Sequence, residues 1–528
     1  MFRLSYKSDA KVMRAAATFD AGDSADSATT KLMGYGFLIL YAVLLALVTL
    51  KHEMYVDEVQ PWLFVRNAHS LLPVIQHLRY EAHPGLWFVL LYGASRISSN
   101  IACMQCINFA LALTMAWLVL SKRSLPIVNR VLIVFGVTIF FTMGVLARDY
   151  MLAGVLLTAA ARSFLAKPQR HWLGIALLAL AINAHFFAIP IAAGIFVWLY
   201  WSCPEMTWKA SLAKLKERKF WVSVAILAFA LIACYLTVRP AKDLATHLNL
   251  AGAGIFDYLI LAVGRVWHYY LPFSLDMESS IQNSSLAFPA FKDVFVTLLL
   301  WIVALSVLPG RRSRLFMVMS SLLWTAAVVA TVRIPLETHA SQIVVGYVIA
   351  LMINRPEDYL GSWFPSYAAQ PILLAILSIQ VSLCLQYSVK EWFSLFSAGK
   401  STAQWLKAAG LTTRPLVIEP EIAAPTILAY TGISSAYVPG CKCNRTFLLY
   451  RVGWDSERQV SPEELQALTS KFGLSPVVIS GWELTERDLH HLRLQLLYEP
   501  PRAWAYQNEN VFVYGVVDHA NSESAAAQ

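Results

Sequence analysis

Long apolar runs alternate with short basic stretches over roughly the first 390 residues. Beyond about 395 they give way to short apolar segments set in polar chain. A helix needs about 20 consecutive apolar residues to cross a bilayer. Runs of that order lie near 33–50, 101–120, 131–147, 151–166, 172–186, 188–203, 220–238, 293–308, 315–332, 340–353 and 371–389. They predict a polytopic α-helical membrane domain over 33–390, with about eleven spans. A further apolar stretch, 83–97, is short for a span, and counting it as one would invert every later loop. It predicts an oblique or interfacial helix. Past 395, LVI (416–418), TFLLY (446–450), PVVIS (476–480) and VFVYGVV (511–517) predict strands. Ser461-Pro-Glu-Glu464 carries a capping box for a helix running to about 472, and a second helix is expected over 485–498. The reading for 395–520 is a small α/β domain, with 521–528 as a disordered tail.

Charge sets the orientation, because Lys and Arg gather in short cytoplasmic loops. Basic residues cluster in the N-terminal segment 1–32, from Lys122 to Arg130, from Lys167 to Arg170, from Lys209 to Lys219, and from Arg311 to Arg314. Placing all of these inside puts 51–100, 239–290 and the C-terminal domain outside the membrane. The stretch GRVWHYYLPF (264–273) in the second outer segment predicts an aromatic interfacial helix. Polar residues precede the first run and no small-residue cleavage site follows it, so that run is expected to be a retained span. Composition agrees: 57% of residues are hydrophobic and 14% charged, against about 25% charged in a soluble domain. The formal net charge of +9 then follows from topology and implies no nucleic-acid partner.

Five of the seven cysteines, Cys103, Cys106, Cys203, Cys234 and Cys384, lie in or beside apolar runs, and the Cys103-x-x-Cys106 pair reads as two buried small hydrophobes rather than a redox site. Cys441 and Cys443 have a spacing poorly suited to a local disulfide, so no disulfide framework or zinc pattern is expected. That expectation, with the modest loops, favours a bacterial inner membrane over an endoplasmic reticulum. In a eukaryote, Asn283 and Asn444 would be glycosylation sequons. No P-loop or G-x-G-x-x-G fingerprint follows a predicted strand.

Three polar features fall on the predicted outer side. They are Asp57-Glu58 after the first run, the Glu81-Ala82-His83-Pro84 turn, and Arg148-Asp149 at the tip between 131–147 and 151–166. Ionisable groups at a span edge are costly unless paired or facing water, and they mark function by default. Any one of them alone is as readily a helix anchor; their convergence on one face is the stronger signal. Asn183 and His185 lie near the next hairpin tip, where a lone histidine is more often satisfied within the bundle than a ligand.

A first span, an acidic pair, a His-Pro turn and an Arg-Asp-Tyr tip together resemble the GT-C membrane glycosyltransferases. The nearest branch is the protein O-mannosyltransferase and aminoarabinose-transferase-like group. The resemblance implies a sugar donor carried on a polyprenyl phosphate, reached from the bilayer. It implies an acceptor at the outer face, whether an envelope glycan, a lipid or a protein. It implies Asp57 as general base on the acceptor hydroxyl, Glu58 orienting Asp57 or the acceptor, and Asp149 as the second acid. His83 then faces the donor phosphate. Arg148, Arg265 and Arg333, with His268 and His339, are the cations expected on that face. Arg265 and Arg333 are the best phosphate forks, each being otherwise a snorkelling anchor. Two departures stand out: Gly85 replaces a common second proline, and the Arg-Asp-Tyr tip differs from the strings usual in relatives. The resemblance fixes no metal, and Mg²⁺ or Mn²⁺ on Asp57, Glu58 and Asp149 would suit carboxylate ligands. A transporter or flippase of lipid-linked sugars is the main rival, but it usually carries inverted repeats and mid-span charges. An O-antigen ligase or polymerase-like enzyme would need an Arg-rich outer loop with its own histidine, for which 239–290 is a weak candidate.

Overall fold

The computed structural model describes residues 25–201, 213–244, 291–331, 341–353 and 366–517, apart from isolated positions within them. Most of the expected cytoplasmic start, most of 239–290 including GRVWHYYLPF, and the tail 521–528 lie outside the described residues. So do Arg265, His268, Asn283, Arg333 and His339.

Among the described residues, five helices are long and apolar enough to cross a membrane: Thr29–Lys51, Ala102–Leu120, Ile127–Val145, Arg218–Val238 and Ala369–Phe393. Leu86–Ile97, His171–Ala184, Ala188–Tyr200, Leu298–Val307 and Ser341–Met352 are apolar but shorter. Helix length alone therefore does not deliver the expected eleven crossings. The outer faces carry Leu32, Ile39, Leu50, Phe229, Leu236 and Phe393 exposed. Hydrocarbon, not water, suits such a surface, and the chain is membrane-embedded. The 12-residue helix Leu86–Ile97 is about 18 Å long against a hydrocarbon core of about 30 Å, as an interfacial or oblique helix would be.

The helix Asp149–Leu165 is central and buried on nearly every side. It packs against His171–Ala184, Ala102–Leu120 and Ser341–Met352. Small residues allow this: a Cβ on Gly154 would lie 2.6 Å from Met143 Cε. Before it, the expected span 131–147 is not one α-helix. Ile127–Val134 is α-helical and Thr138–Val145 is a π-helix, in which the Leu146 N–H reaches the Phe141 carbonyl at 3.2 Å. Buried Asn108 donates to the carbonyls of Met143, Gly144 and Leu146 at 3.0, 2.9 and 3.2 Å, catching groups that an α-ladder would have used. Arg130, expected as a loop charge, is buried within Ile127–Val134 and donates to the Leu120 carbonyl.

The C-terminal domain is built on a six-stranded sheet of order β3-β2-β1-β4-β6-β5. Its strands are β1 Leu416–Glu419, β2 Ala436–Val438, β3 Cys443–Arg445, β4 Val477–Ser480, β5 Leu494–Tyr498 and β6 Phe512–Val516. The pairs β1–β2 and β1–β4 are parallel and the rest antiparallel. All four residues of β1 and of β4 are buried, as central strands covered on both faces require. One face packs Leu416, Ile418 and Ile479 on Leu406 and Ile427, and the other packs Val417 and Val478 on Leu465 and Leu468. The helix Pro462–Phe472 starts at the expected Ser461–Glu464 capping box.

Three expectations fail here. Residues 446–449 are not a strand; the edge strand is β3, just before them. The helix expected over 485–498 stops at Leu492, where Arg493 takes a left-handed φ of 54° and the chain turns into β5. Cys441 and Cys443 are disulfide-bonded to each other. The short helix Pro439–Cys441 and the left-handed Lys442 fold the chain back between them, so the bond closes around one residue.

Candidate active site

The chain leaves the helix Ala25–Lys51 and, after a short loop, enters the helix Val56–Asn67, which begins with Asp57 and Glu58 in its first turn. Acids there are favoured by the helix dipole, but the two diverge. Asp57 stays 37% exposed, and its Oδ2 accepts from Arg148 at 2.8 Å. Glu58 is fully buried. Its Oε1 accepts the Ala147 N–H at 2.6 Å, and its Oε2 accepts from His52 at 2.8 Å and from the Tyr55 N–H at 3.3 Å. Both carboxylate oxygens of Glu58 therefore have partners within the protein. Glu58 ties the loop to the hairpin tip, one residue before Arg148. His52 bridges onward, its Nδ1 donating to Glu391 at 3.0 Å. Burial alone would lower the His52 pKa, but the Glu58 and Glu391 carboxylates hold it up at about 10.

Arg148 is buried, donates to both Tyr55 Oη (3.1 Å) and Asp57, and stacks 5.0 Å over Tyr150. It is a structural partner of Asp57 before it is a phosphate clamp. Asp149 opens the next helix and is buried, accepting from His83 Nδ1 at 3.0 Å. The His83 side chain is 22% exposed. His185, at the C-cap of His171–Ala184, completes this group: one ligand atom each from His83, Asp149 and His185 lie within 4.8 Å of one another. The Mg²⁺ or Mn²⁺ set of Asp57, Glu58 and Asp149 is not assembled: among the described residues, Asp57 and Glu58 join no three-ligand group. Sequence reasoning passed over His185 because a bundle histidine reads alike whether it packs or ligates. Its signal was position, at a hairpin tip on the same side as Asp149.

The C-terminal domain grips this loop. Buried Glu509 accepts the Val56 N–H at 2.6 Å and the Ser397 hydroxyl. Burial pushes its carboxyl up to about 8, against the lowering effect of those donors. The Met54 N–H donates to Tyr430 Oη at 2.9 Å, and Gln60 exchanges hydrogen bonds with the Leu448 backbone. Gln60 also donates to Glu81 at 2.6 Å. Glu509, Tyr430 and Glu391 lie hundreds of positions from this loop, and no local signal marked them. A void between the helices, lined by Leu132, Gly136, Tyr347 and Leu377 among others, shares no residue with the polar group.

No protein-family model and no curated sequence matches the chain. Among solved structures it is similar to ArnT from Cupriavidus metallidurans in the apo state. That likeness covers 92% of this chain and 98% of that one, with 11% identity and a TM-score of 0.46. The same protein bound to undecaprenyl phosphate gives 10% identity over 92% and 98%, with a TM-score of 0.45. The arabinofuranosyltransferase AftD from Mycobacteria, as mutant R1389S, gives 14% identity over 91% of this chain and 42% of that one, with a TM-score of 0.31.

Proposed function

We propose that the chain is a glycosyltransferase that moves a sugar from a polyprenyl-phosphate donor to a hydroxyl acceptor at the outer face of the membrane. The observation that carries this is Asp57, a part-exposed carboxylate at the membrane edge whose Oδ2 is fixed by Arg148 while Arg148 is itself fixed by Tyr55. Pinning one oxygen leaves Oδ1 to meet an acceptor in a set direction. The acceptor oxygen attacks the anomeric carbon, its proton passes to Asp57, and the bond from that carbon to the phosphate oxygen breaks. The lipid phosphate leaves with both electrons of that bond. Arg148 supplies positive charge where the phosphate gains negative charge, and His83 is assigned to face that phosphate. The Cys441–Cys443 bond fits an oxidising compartment for the outer domain, with the N-terminus cytoplasmic.

The test is Asp57→Asn in full-length protein reconstituted with polyprenyl-phosphate sugars and candidate acceptors. Loss of a general base costs about 10²–10⁴ in rate. Full transfer by Asp57→Asn, with unchanged thermal stability, would refute the assignment. A transporter would instead move lipid-linked sugar across vesicles with no acceptor present.

A further inference from the structure

We propose that His83, Asp149 and His185 form a binding site for one borderline divalent cation of the Zn²⁺ type. The three come from separate segments, and each sits where a helix starts or stops. His83 is in the turn before Leu86–Ile97, Asp149 is the first residue of its helix, and His185 caps the end of another. Their ligand atoms converge within 4.8 Å, close enough for one ion to draw them together with small side-chain movements. A metal site needs lone pairs aimed at one point. The other buried histidine–acid group shows the contrast. There the His52 ring lies between Glu58 and Glu391, and its two nitrogens face opposite ways, so nothing converges.

The donor set decides the ion. Two imidazoles and one carboxylate suit Zn²⁺ and its neighbours, whereas Mg²⁺ prefers oxygen ligands and its own waters. Three protein ligands with part-exposed His83 on one side leave a position open for an outside oxygen. Arg148 pairs directly with Asp57 at 2.8 Å, and the hydrogen bond of Asp149 goes to His83 at 3.0 Å. Loading the site displaces the proton shared by His83 and Asp149. It also exchanges one contact at His185. Its Nδ1 takes the Phe187 N–H at 3.2 Å, and ligation through Nε2 moves the ring proton to Nδ1 and gives that contact up.

The site shares His83 with the proposed glycosyl-transfer site, so its test reads metal, not activity. Full-length protein in detergent is stripped with chelator, then titrated with Zn²⁺ alone and with Mg²⁺ alone. Bound metal is measured by mass spectrometry, and stability by thermal unfolding. The expected result is one tightly bound Zn²⁺ per chain, a raised melting temperature, and no displacement by millimolar Mg²⁺. Asp149→Asn and His185→Gln should weaken Zn²⁺ binding on the order of a hundredfold or more. His83→Gln, at the part-exposed edge, is the variant least able to disturb folding and should weaken it too. Wild-type protein that takes up no Zn²⁺ overturns the proposal, as do variants that bind it with wild-type affinity. Either result leaves the Asp57 test untouched.

Discussion

Glu509 belongs to the C-terminal domain, yet it holds the first backbone amide of the helix that carries Asp57. Glu509→Ala strips the buried Val56 N–H and the Ser397 hydroxyl of their acceptor. An orphaned buried donor costs about 1–3 kcal/mol, so the segment will relax to find water or another partner. A shift of about 1 Å in a positioned catalytic group can cost on the order of 10²-fold in rate. We therefore expect Glu509→Ala to lower kcat by about 10- to 100-fold while the bundle stays folded. Glu509→Gln keeps a carbonyl oxygen for Val56 and should restore most of the rate. The pH dependence gives a second reading. Folding raises the Glu509 pKa from 4.5 to about 8. Its contribution to docking is therefore complete below about pH 4.5 and is lost as pH rises through about 8. The Gln variant has no proton to lose and should flatten that window. The assay is glycosyl transfer in reconstituted membranes from pH 5 to 9, beside protease resistance of the outer domain. A Glu509→Ala enzyme with wild-type kcat and an intact domain would refute the reasoning, and so would a Gln variant as impaired as Ala.

Other outcomes follow from the same contacts. Glu58→Gln breaks a buried charge pair with His52 and should lower stability by about 3–5 kcal/mol, read as a fall in the thermal midpoint. His52 has its pKa raised from 6.5 to about 10, so its stabilisation is complete below pH 6.5 and is lost as pH rises through about 10. His52→Gln should abolish that alkaline loss in thermal scans. Arg148→Lys loses the planar guanidinium that stacks over Tyr150 while its Nη1 serves Tyr55 and Asp57, and should reduce kcat about tenfold or more with little change in the thermal midpoint.

The chemistry-bearing positions were legible where a polar residue interrupts an apolar run. Asp57, His83 and Arg148-Asp149 stood out for that reason, and the structure brings them into one neighbourhood. The roles within the cluster were less legible. Adjacent acids look alike in sequence, but helical geometry sends Asp57 outward and Glu58 inward. The capping box at Ser461 is a local signal and gave the helix start directly. The partners His52–Glu391, Val56–Glu509 and Met54–Tyr430 are tertiary, and one sequence carries no mark of them. The stretch 485–498 read as one helix because its apolar spacing suits either period, and the break depends on Arg493 adopting a left-handed turn. The π segment is hidden for a related reason: a continuous apolar run does not say how many residues close each turn.

That segment bears on how the site can change over evolution. In an α-helix each residue advances the chain by about 100°. The wider turn over Thr138–Val145 absorbs the equivalent of one additional residue before the chain reaches Arg148 and Asp149. The bearing of those two side chains is thus fixed partly by a count, the number of residues between Gly136 and the tip. Apolar substitutions along that stretch leave the count intact and should be tolerated. A single deletion would tighten the turn to α, leave Asn108 without its carbonyls, and swing both residues by about 100° around the axis. The hairpin can drift in composition but not in length.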